Sequence, residues 1–281
     1  MISVITPVLD GARYLPACVA CVAAQVGTED EHLIVDGGSS DGTVRLLAEL
    51  AASHSHLRWS SEPGLGQSAA LNRGIAMARG EIVGILNVDD SYEADVLSRV
   101  AARFAQLPRP AFVAGNCNVW GPDGGLLYVN RPARLELRCL LRGFERYPYP
   151  VNPSAYFYHR SLHDLVGPYS PAEEYALDVD FIFRAVQRAH LVYVNETWGN
   201  FHKVEGSKTL IDQRRGTSAA RAKRLYRRYR RNLPLHQRVP AALAYECANT
   251  RLGRALTFAS RHPLAAAGVL LRKTASPSFP D

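Results

Sequence analysis

Short, almost uninterrupted apolar runs alternate with stretches of helical periodicity through the first hundred residues. Met1-Ile-Ser-Val-Ile-Thr-Pro7 reads as a strand buried on both faces and closed by Pro7, and the helix after it carries Leu15, Cys18, Val19 and Val22 on one side. His32-Leu-Ile-Val-Asp36 reads as a second strand, followed by the loop Gly37-Gly-Ser-Ser-Asp-Gly-Thr43 and a helix over Val44–Leu50. Leu57–Ser61 reads as a third strand, and Gly64–Ala78 carries a glycine loop into a helix. The fourth apolar run, Gly80–Leu86, ends abruptly in Asn87-Val-Asp-Asp90, and a helix is expected over Ala94–Ala105. Strands without polar alternation, separated by helices, predict an α/β fold with a mostly parallel sheet flanked by helices. Ligands bind at the C-terminal edge of such a sheet, where Asp36, Asp89 and Asp90 would lie.

The pattern changes after a proline-rich break at Leu107–Pro110. A strand is expected at Ala111–Ala114, a hairpin over Val119–Tyr128, a helix over Leu135–Phe144, and a rigid connector at Tyr147-Pro-Tyr-Pro150. Ser154–Tyr158 is strand-like, Arg160–Val166 reads as a short helix, and a further helix starts at Leu177. Thr217–Arg231 has Ala219, Ala222, Tyr226 and Tyr229 at helical spacing among arginines, and Pro234–Lys273 reads as Ala/Leu-rich helices broken at Pro240 and Pro263. The expected organisation is one α/β domain over 1–212 and a basic, Ala/Leu-rich helical extension over 213–281.

Composition adds that the core is real and the charge is local. The chain has 281 residues, 47% of them hydrophobic, enough for one large domain with an appendage. Five scattered cysteines with no signal peptide before them predict reduced thiols in a cytoplasmic protein; Cys18-x-x-Cys21 falls inside an apolar helix pattern and lacks a second pair at metal spacing. The net charge is +7, and Gln213–Arg231 alone holds nine Arg or Lys and no acid, so the remainder is slightly acidic. A basic helix with interfacial tyrosines suits an anionic membrane surface, reached peripherally from the cytoplasm, and nucleic acid is not the expected partner. Docking on the core or pairing as a homodimer are the alternatives for the extension. The longest late apolar stretch, Pro263–Leu271, is too short to span a bilayer.

Several residues carry candidate chemistry. Adjacent carboxylates at a strand end repel unless a cation or donors neutralise them, and hard oxygen ligands there suit Mg²⁺ or Mn²⁺ shared with a phosphate. Asp90 equally suits a cap for the helix that begins near Tyr92. Asp36 can accept from a nucleoside N–H or a ribose hydroxyl, whereas Asp41 reads as a helix cap. Asp178 would lie in the first turn of its helix, where the dipole favours a carboxylate able to act as a base; capping by Asp178 or Asp180 is the alternative. Gly64-x-Gly66-x-x-Ala69 fits a dinucleotide fingerprint and so an NAD(P)-dependent oxidoreductase, yet it follows two strand–helix units instead of closing the first strand.

Taken in order, these pieces resemble the family 2 glycosyltransferases, inverting enzymes of the GT-A fold, over about Ile2–Thr209. The resemblance implies a nucleotide half at about 1–110 and an acceptor half at about 111–212. It implies that Thr6, Pro7 and Val8 form a nucleotide loop, that Asp36 meets the base or ribose, and that Gly66, Asn72 and Arg73 lie near the nucleotide and its phosphates. Leu86-Asn-Val-Asp-Asp90 resembles the aspartate-x-aspartate metal motif, with Asn87 and Val88 at the nucleotide and Asp89 and Asp90 on Mn²⁺ or Mg²⁺. His202 is implied as a further metal or phosphate ligand, with Lys203 and Lys208 as weaker phosphate candidates. Asp178 falls where the family places its catalytic base. The implied reaction moves a sugar from a nucleotide donor, UDP-sugar by default, to a lipid-linked or polysaccharide glycan. Two departures stand out: Asn87 replaces a common aspartate, and Leu177 stands where a glutamate often precedes the base. Asn87 leaves open a catalytically inactive protein of the same fold that binds membrane or nucleic acid through its basic tail.

Overall fold

A computed structural model of the chain describes residues 1–173, 175–207, 211–212 and 217–250. Lys208, Gln213–Gly216 of the basic run and the Pro263–Leu271 stretch lie outside the described residues. The strands are β1 (Ile2–Val8), β2 (Glu31–Asp36), β3 (Leu57–Ser61), β4 (Ile82–Ile85), β5 (Ser91–Tyr92), β6 (Ala111–Trp120), β7 (Leu126–Asn130), β8 (Tyr156–His159) and β9 (His190–His202). They form one sheet in the order β3-β2-β1-β4-β8-β6-β9-β5, with β7 paired to β6. β1 and β2 are buried at every position, as expected of apolar runs covered on both faces.

The sheet is parallel across β3, β2, β1 and β4, as the sequence predicts. Beyond β4 it is mixed: β8 runs antiparallel to β4 and β6, whereas β9 runs parallel to β6. Strand β9 has no counterpart in the sequence reading. Its middle, Asn195-Glu-Thr-Trp-Gly-Asn200, breaks apolar alternation, and the register with β6 shifts there.

One face of the sheet packs against α1 (Leu15–Ala23), α2 (Thr43–Ser53) and α4 (Val96–Phe104). The expected helix from Tyr92 begins later. Ser91–Tyr92 pairs with β9 instead, and α4 is capped by the Gln25 side-chain oxygen, which accepts from Val96 N at 2.9 Å, not by Asp90. The other face packs against α3 (Gln67–Met77), the short α5 (Leu137–Leu140) and α6 (Leu162–Val166), α7 (Leu177–Ala185), and the two extension helices α8 (Ser218–Arg231) and α9 (Leu235–Asn249). The helix expected over Leu135–Phe144 is a single turn. Cys18 packs into the core through α1, and all five cysteines are free.

Two expectations for the extension are corrected. Tyr226 and Tyr229 point inward, not towards an interface. Both meet Phe183 edge-on, at 5.3 and 5.2 Å between ring centroids, and burying them with Leu225 docks α8 on α7. The Tyr229 hydroxyl donates to Asp180 Oδ1 at 2.8 Å, and Asp180 also pairs with Arg184 and Arg228. Pro240 does not break the second helix, because it lies on the exposed face of α9, where water can take the carbonyl it leaves unbonded. Among the described residues, no helix is long and apolar enough to cross a membrane.

Candidate active site

The C-terminal ends of β1, β2, β3 and β4 share one edge, and the loops that follow them are hydrogen-bonded into a rim. Asp10 N–H donates to Ser39 Oγ at 2.7 Å, Ser40 N–H to Asp10 Oδ1 at 2.7 Å, and Gly11 N–H to Thr43 Oγ1 at 3.0 Å. Asp41 accepts from Thr43 N at the start of α2, as predicted, and from Ala12 N. Gly38 has φ +93°, and a Cβ there would sit 2.6 Å from Pro63 Cα, so only glycine lets the β2 loop lie against the segment after β3.

Asp36 sits at the centre of this rim, buried. It accepts from the Ser61 hydroxyl at 2.7 Å, from Gly38 N at 2.9 Å and from the Ser39 N–H and hydroxyl. Burial pushes its carboxyl up, but these donors outweigh that and hold it below the ordinary value. Thr6 is wholly buried, its hydroxyl bonded to His32 Nε2 at 2.9 Å, and Pro7 and Val8 are buried beside it. The exposed part of this segment is therefore Leu9–Asp10, not the Thr6 side chain. Gly66 caps α3 and is exposed, as is Arg73. Asn72 turns away from the rim: its amide exchanges two hydrogen bonds with the Tyr169 backbone, at 2.9 and 2.8 Å, and so ties α3 to the loop before α7.

The acidic end of β4 divides into two roles. Asp90 is buried, with Oδ2 accepting from Asn87 Nδ2 at 3.0 Å and Asn152 Nδ2 at 2.7 Å, and Oδ1 accepting from His202 N at 3.0 Å. Burial, then the charge of Asp89, pushes its carboxyl up to about 8. With its oxygens held by three donors, Asp90 joins the β4 end to β9 and to the Pro153–Ala155 turn, and does not face outward as a ligand. Asp89 and Val88 are half-buried. Burial raises the Asp89 carboxyl, while its own backbone N–H and the nearby His202 ring oppose the rise. Burial likewise keeps the His202 ring neutral, against the pull of Asp89. His202 stacks on Trp120 at 6.2 Å between centroids, and Trp120 Nε1 donates to Asn200 Oδ1 at 2.8 Å. Asp89 and His202, distant in sequence, are brought within electrostatic reach of each other because β9 pairs with β5 just after the acidic run. Among the described residues, no group of three or more His, Cys, Asp or Glu side chains forms a metal cage by itself.

Asp178 lies half-buried in the first turn of α7 and accepts from the Tyr156 hydroxyl at 3.2 Å. Gly84 pairs with Phe157, so Tyr156 stands beside the C-terminal end of β4, and its hydroxyl reaches Asp178 near the same sheet edge as Asp89. Asn152, Tyr156 and Trp120 were not legible as site residues. Asn152 between two prolines carries a faint signal, since a polar residue in a rigid connector often holds a neighbour.

The fold is that of a GT-A enzyme, and comparison with known proteins agrees. The profile of glycosyl transferase family 2 matches residues 3–164, more than half of the chain. A protein of Mycobacterium bovis named "PGL/p-HBAD biosynthesis glycosyltransferase" is 32% identical over 221 residues, covering 76% of this chain and 81% of the relative. The chain belongs to glycosyl transferase family 2 and is a glycosyltransferase. Among solved structures, S. aureus TarS 1-349 in complex with UDP-GlcNAc superposes with a TM-score of 0.67 at 19% identity, over 96% of this chain and 79% of that one. The mannosyltransferase PcManGT from Pyrobaculum calidifontis, in complex with GDP-Man and Mn²⁺, gives 0.57 at 18% identity, over 96% and 86%. These likenesses show the fold. Family membership also assigns the Gly64–Ala69 segment to the loop after β3 of a transferase, so the oxidoreductase expectation is set aside.

Proposed function

We propose that the chain is an inverting, metal-assisted transferase that takes a sugar from a nucleoside-diphosphate donor, a UDP-sugar first, to a hydroxyl of a lipid-linked or polysaccharide glycan. The observation that supports this reading is the pairing of β8 with β4, which sets Tyr156, the hydrogen-bond donor to Asp178, beside the strand that runs into Asp89. A donor lying along the rim of Asp36, Gly66 and Arg73 would point its diphosphate at Asp89. TarS and PcManGT, which share the fold, are in complex with UDP-GlcNAc and with GDP-Man, and this supports a nucleotide-sugar donor here.

The residues present fit a divalent cation. A half-buried carboxylate with a raised pKa gains from a counter-charge, and a neutral imidazole beside it is a competent nitrogen ligand. Asp89 and His202 would hold the ion, and diphosphate oxygens and water would complete its shell. When bound, it supplies charge neutralisation for the departing diphosphate. Asp90 acts through Asn87, Asn152 and His202 by holding the β4 end in place.

Asp178 then takes the proton of the acceptor hydroxyl as that oxygen attacks the anomeric carbon. The bond to the diphosphate oxygen breaks on the opposite side, and the configuration inverts. No acidic neighbour is needed at Leu177, since the α7 N-terminus and the Tyr156 hydroxyl position the carboxylate. The test is turnover on a panel of UDP-, GDP- and dTDP-sugars with Mn²⁺. Asp178→Asn should lower kcat by roughly 10²–10⁴-fold while leaving donor affinity unchanged. Full turnover in this variant, or a product of retained configuration, would remove Asp178 from the role of base.

A further inference from the structure

Helices α8 and α9 form an antiparallel hairpin: Tyr226 packs on Tyr245 at 4.8 Å between centroids, and Lys223 pairs with Glu246 at 3.3 Å. The inward faces of both helices enter the same core cluster, through Leu225, Tyr226 and Tyr229 on α8 and Ala241 and Tyr245 on α9. Their opposite faces therefore look outward together. On α8 that outer face carries Arg224, Arg227 and Arg231, which line a shallow concavity and have no acidic partner among the described residues. Arg221 and Arg228, by contrast, are engaged by Asp212 and by Glu173 with Asp180.

The outer face of α9 carries an apolar line, flanked by the exposed His236 and by Glu246, the partner of Lys223. Leu235, Val239 and Leu243 recur every fourth residue, so they form one line along the helix, and they are 69%, 53% and 62% exposed. Single exposed apolar residues are ordinary, but a helical line of three beside an unpaired arginine cluster is an amphipathic face turned outward. Nucleic acid would satisfy the arginines and leave the apolar line in water. An anionic bilayer satisfies both, with phosphates at the arginines and the headgroup–acyl boundary at the leucines.

We propose that the outer face of the α8–α9 hairpin docks on an anionic lipid bilayer, with Leu235, Val239 and Leu243 entering the interface and Arg224, Arg227 and Arg231 on lipid phosphates. The contact is interfacial, since no described helix can span the membrane. It would set the transferase against acceptors carried by that surface, yet it stands on the hairpin alone and does not depend on the catalytic reading.

The experiment is co-sedimentation of the full chain with vesicles of phosphatidylcholine alone or mixed with phosphatidylglycerol, at low and high salt. Binding is expected only to the mixed vesicles and should weaken with salt. Arg224→Gln/Arg227→Gln/Arg231→Gln should weaken it on the order of a hundredfold, and Leu235→Ser/Val239→Ser/Leu243→Ser by roughly tenfold or more even at low salt, with donor turnover intact in both. A serine variant that binds as tightly as wild type would overturn the proposal. So would tighter binding to duplex DNA than to vesicles, or a stable dimer that the serine variant converts to monomer without any vesicle binding.

Discussion

At Asp90, three N–H donors meet one buried carboxylate, and the Asn87 amide is one of them. An aspartate at position 87 would replace that donor with a second acceptor of like charge, facing a group already pushed up by burial and by Asp89. Asn87→Asp should therefore lower stability near neutral pH by about 2 kcal/mol or more, read as a fall in denaturation midpoint; an unchanged midpoint would show that Asp90 does not rely on the amide. His32 makes a separate demand. It is fully buried under the sheet edge, bonded through Nε2 to Thr6, with Nδ1 unpartnered, and burial lowers its pKa from 6.5 to about 3. Because the folded state excludes a proton that the unfolded state binds, its stabilising effect is complete above the ordinary histidine range and is lost as pH falls towards the depressed value. Each pH unit in that window costs about 1.4 kcal/mol, so thermal melts should fall steeply between about pH 6 and pH 5, and His32→Gln should flatten the slope. Asp36, Asp89 and Asp178 were legible because acids that close apolar runs or open helices stand out in a pattern. The partners Asn152 and Tyr156 were not, since a hydrogen bond across tens of residues leaves no local trace. For the same reason the sequence alone makes Thr6 and Asn72 ligand contacts, although their side chains bond His32 and the Tyr169 backbone.

Among elements, β9 has the widest reach. It pairs with β6 and β5, places His202 against Asp90, and lies so close to the Pro153–Ala155 turn that a Cβ on Gly199 would stand 2.7 Å from the Ser154 backbone carbon. Gly199→Ala forces strand and turn apart. It should cost roughly 1–3 kcal/mol and, by separating His202 from Asp89, weaken metal-linked donor binding as well; a variant with native stability would mean that β9 yields without strain. Of the four parallel strands, β1, β2 and β4 were readable as compact apolar runs between turn residues, whereas β3, with Arg58, Ser60 and Ser61, is the least apolar. β9 was not, because Asn195, Glu196 and Asn200 around the buried Trp198 interrupt the alternation and serve side-chain networks instead. The extension helices are visible as helices in the sequence, but their inward face is not: tyrosines have a polar tip that suits a lipid interface, and in the fold Tyr226 and Tyr229 are buried, with the Tyr229 hydroxyl on Asp180.

Over the whole molecule, the parallel strands supply a rim of backbone N–H groups and acids, and the mixed strands beyond β4 carry His202 on β9 and Tyr156, the partner of Asp178, on β8. The extension continues the core on the α7 side, since Tyr226, Tyr229 and Tyr245 share one apolar cluster with Phe183 and Tyr156. This edge is expected to bind a nucleoside diphosphate through a cation held by Asp89. Titration calorimetry of the full chain with UDP, GDP and dTDP, each with and without Mn²⁺, and of Asp89→Ala and Asp178→Asn, tests it most directly. One nucleotide should bind in a metal-dependent manner, with affinity lost in Asp89→Ala and kept in Asp178→Asn. Binding that is independent of Mn²⁺ and unchanged in Asp89→Ala would remove the cation and Asp89 from donor binding.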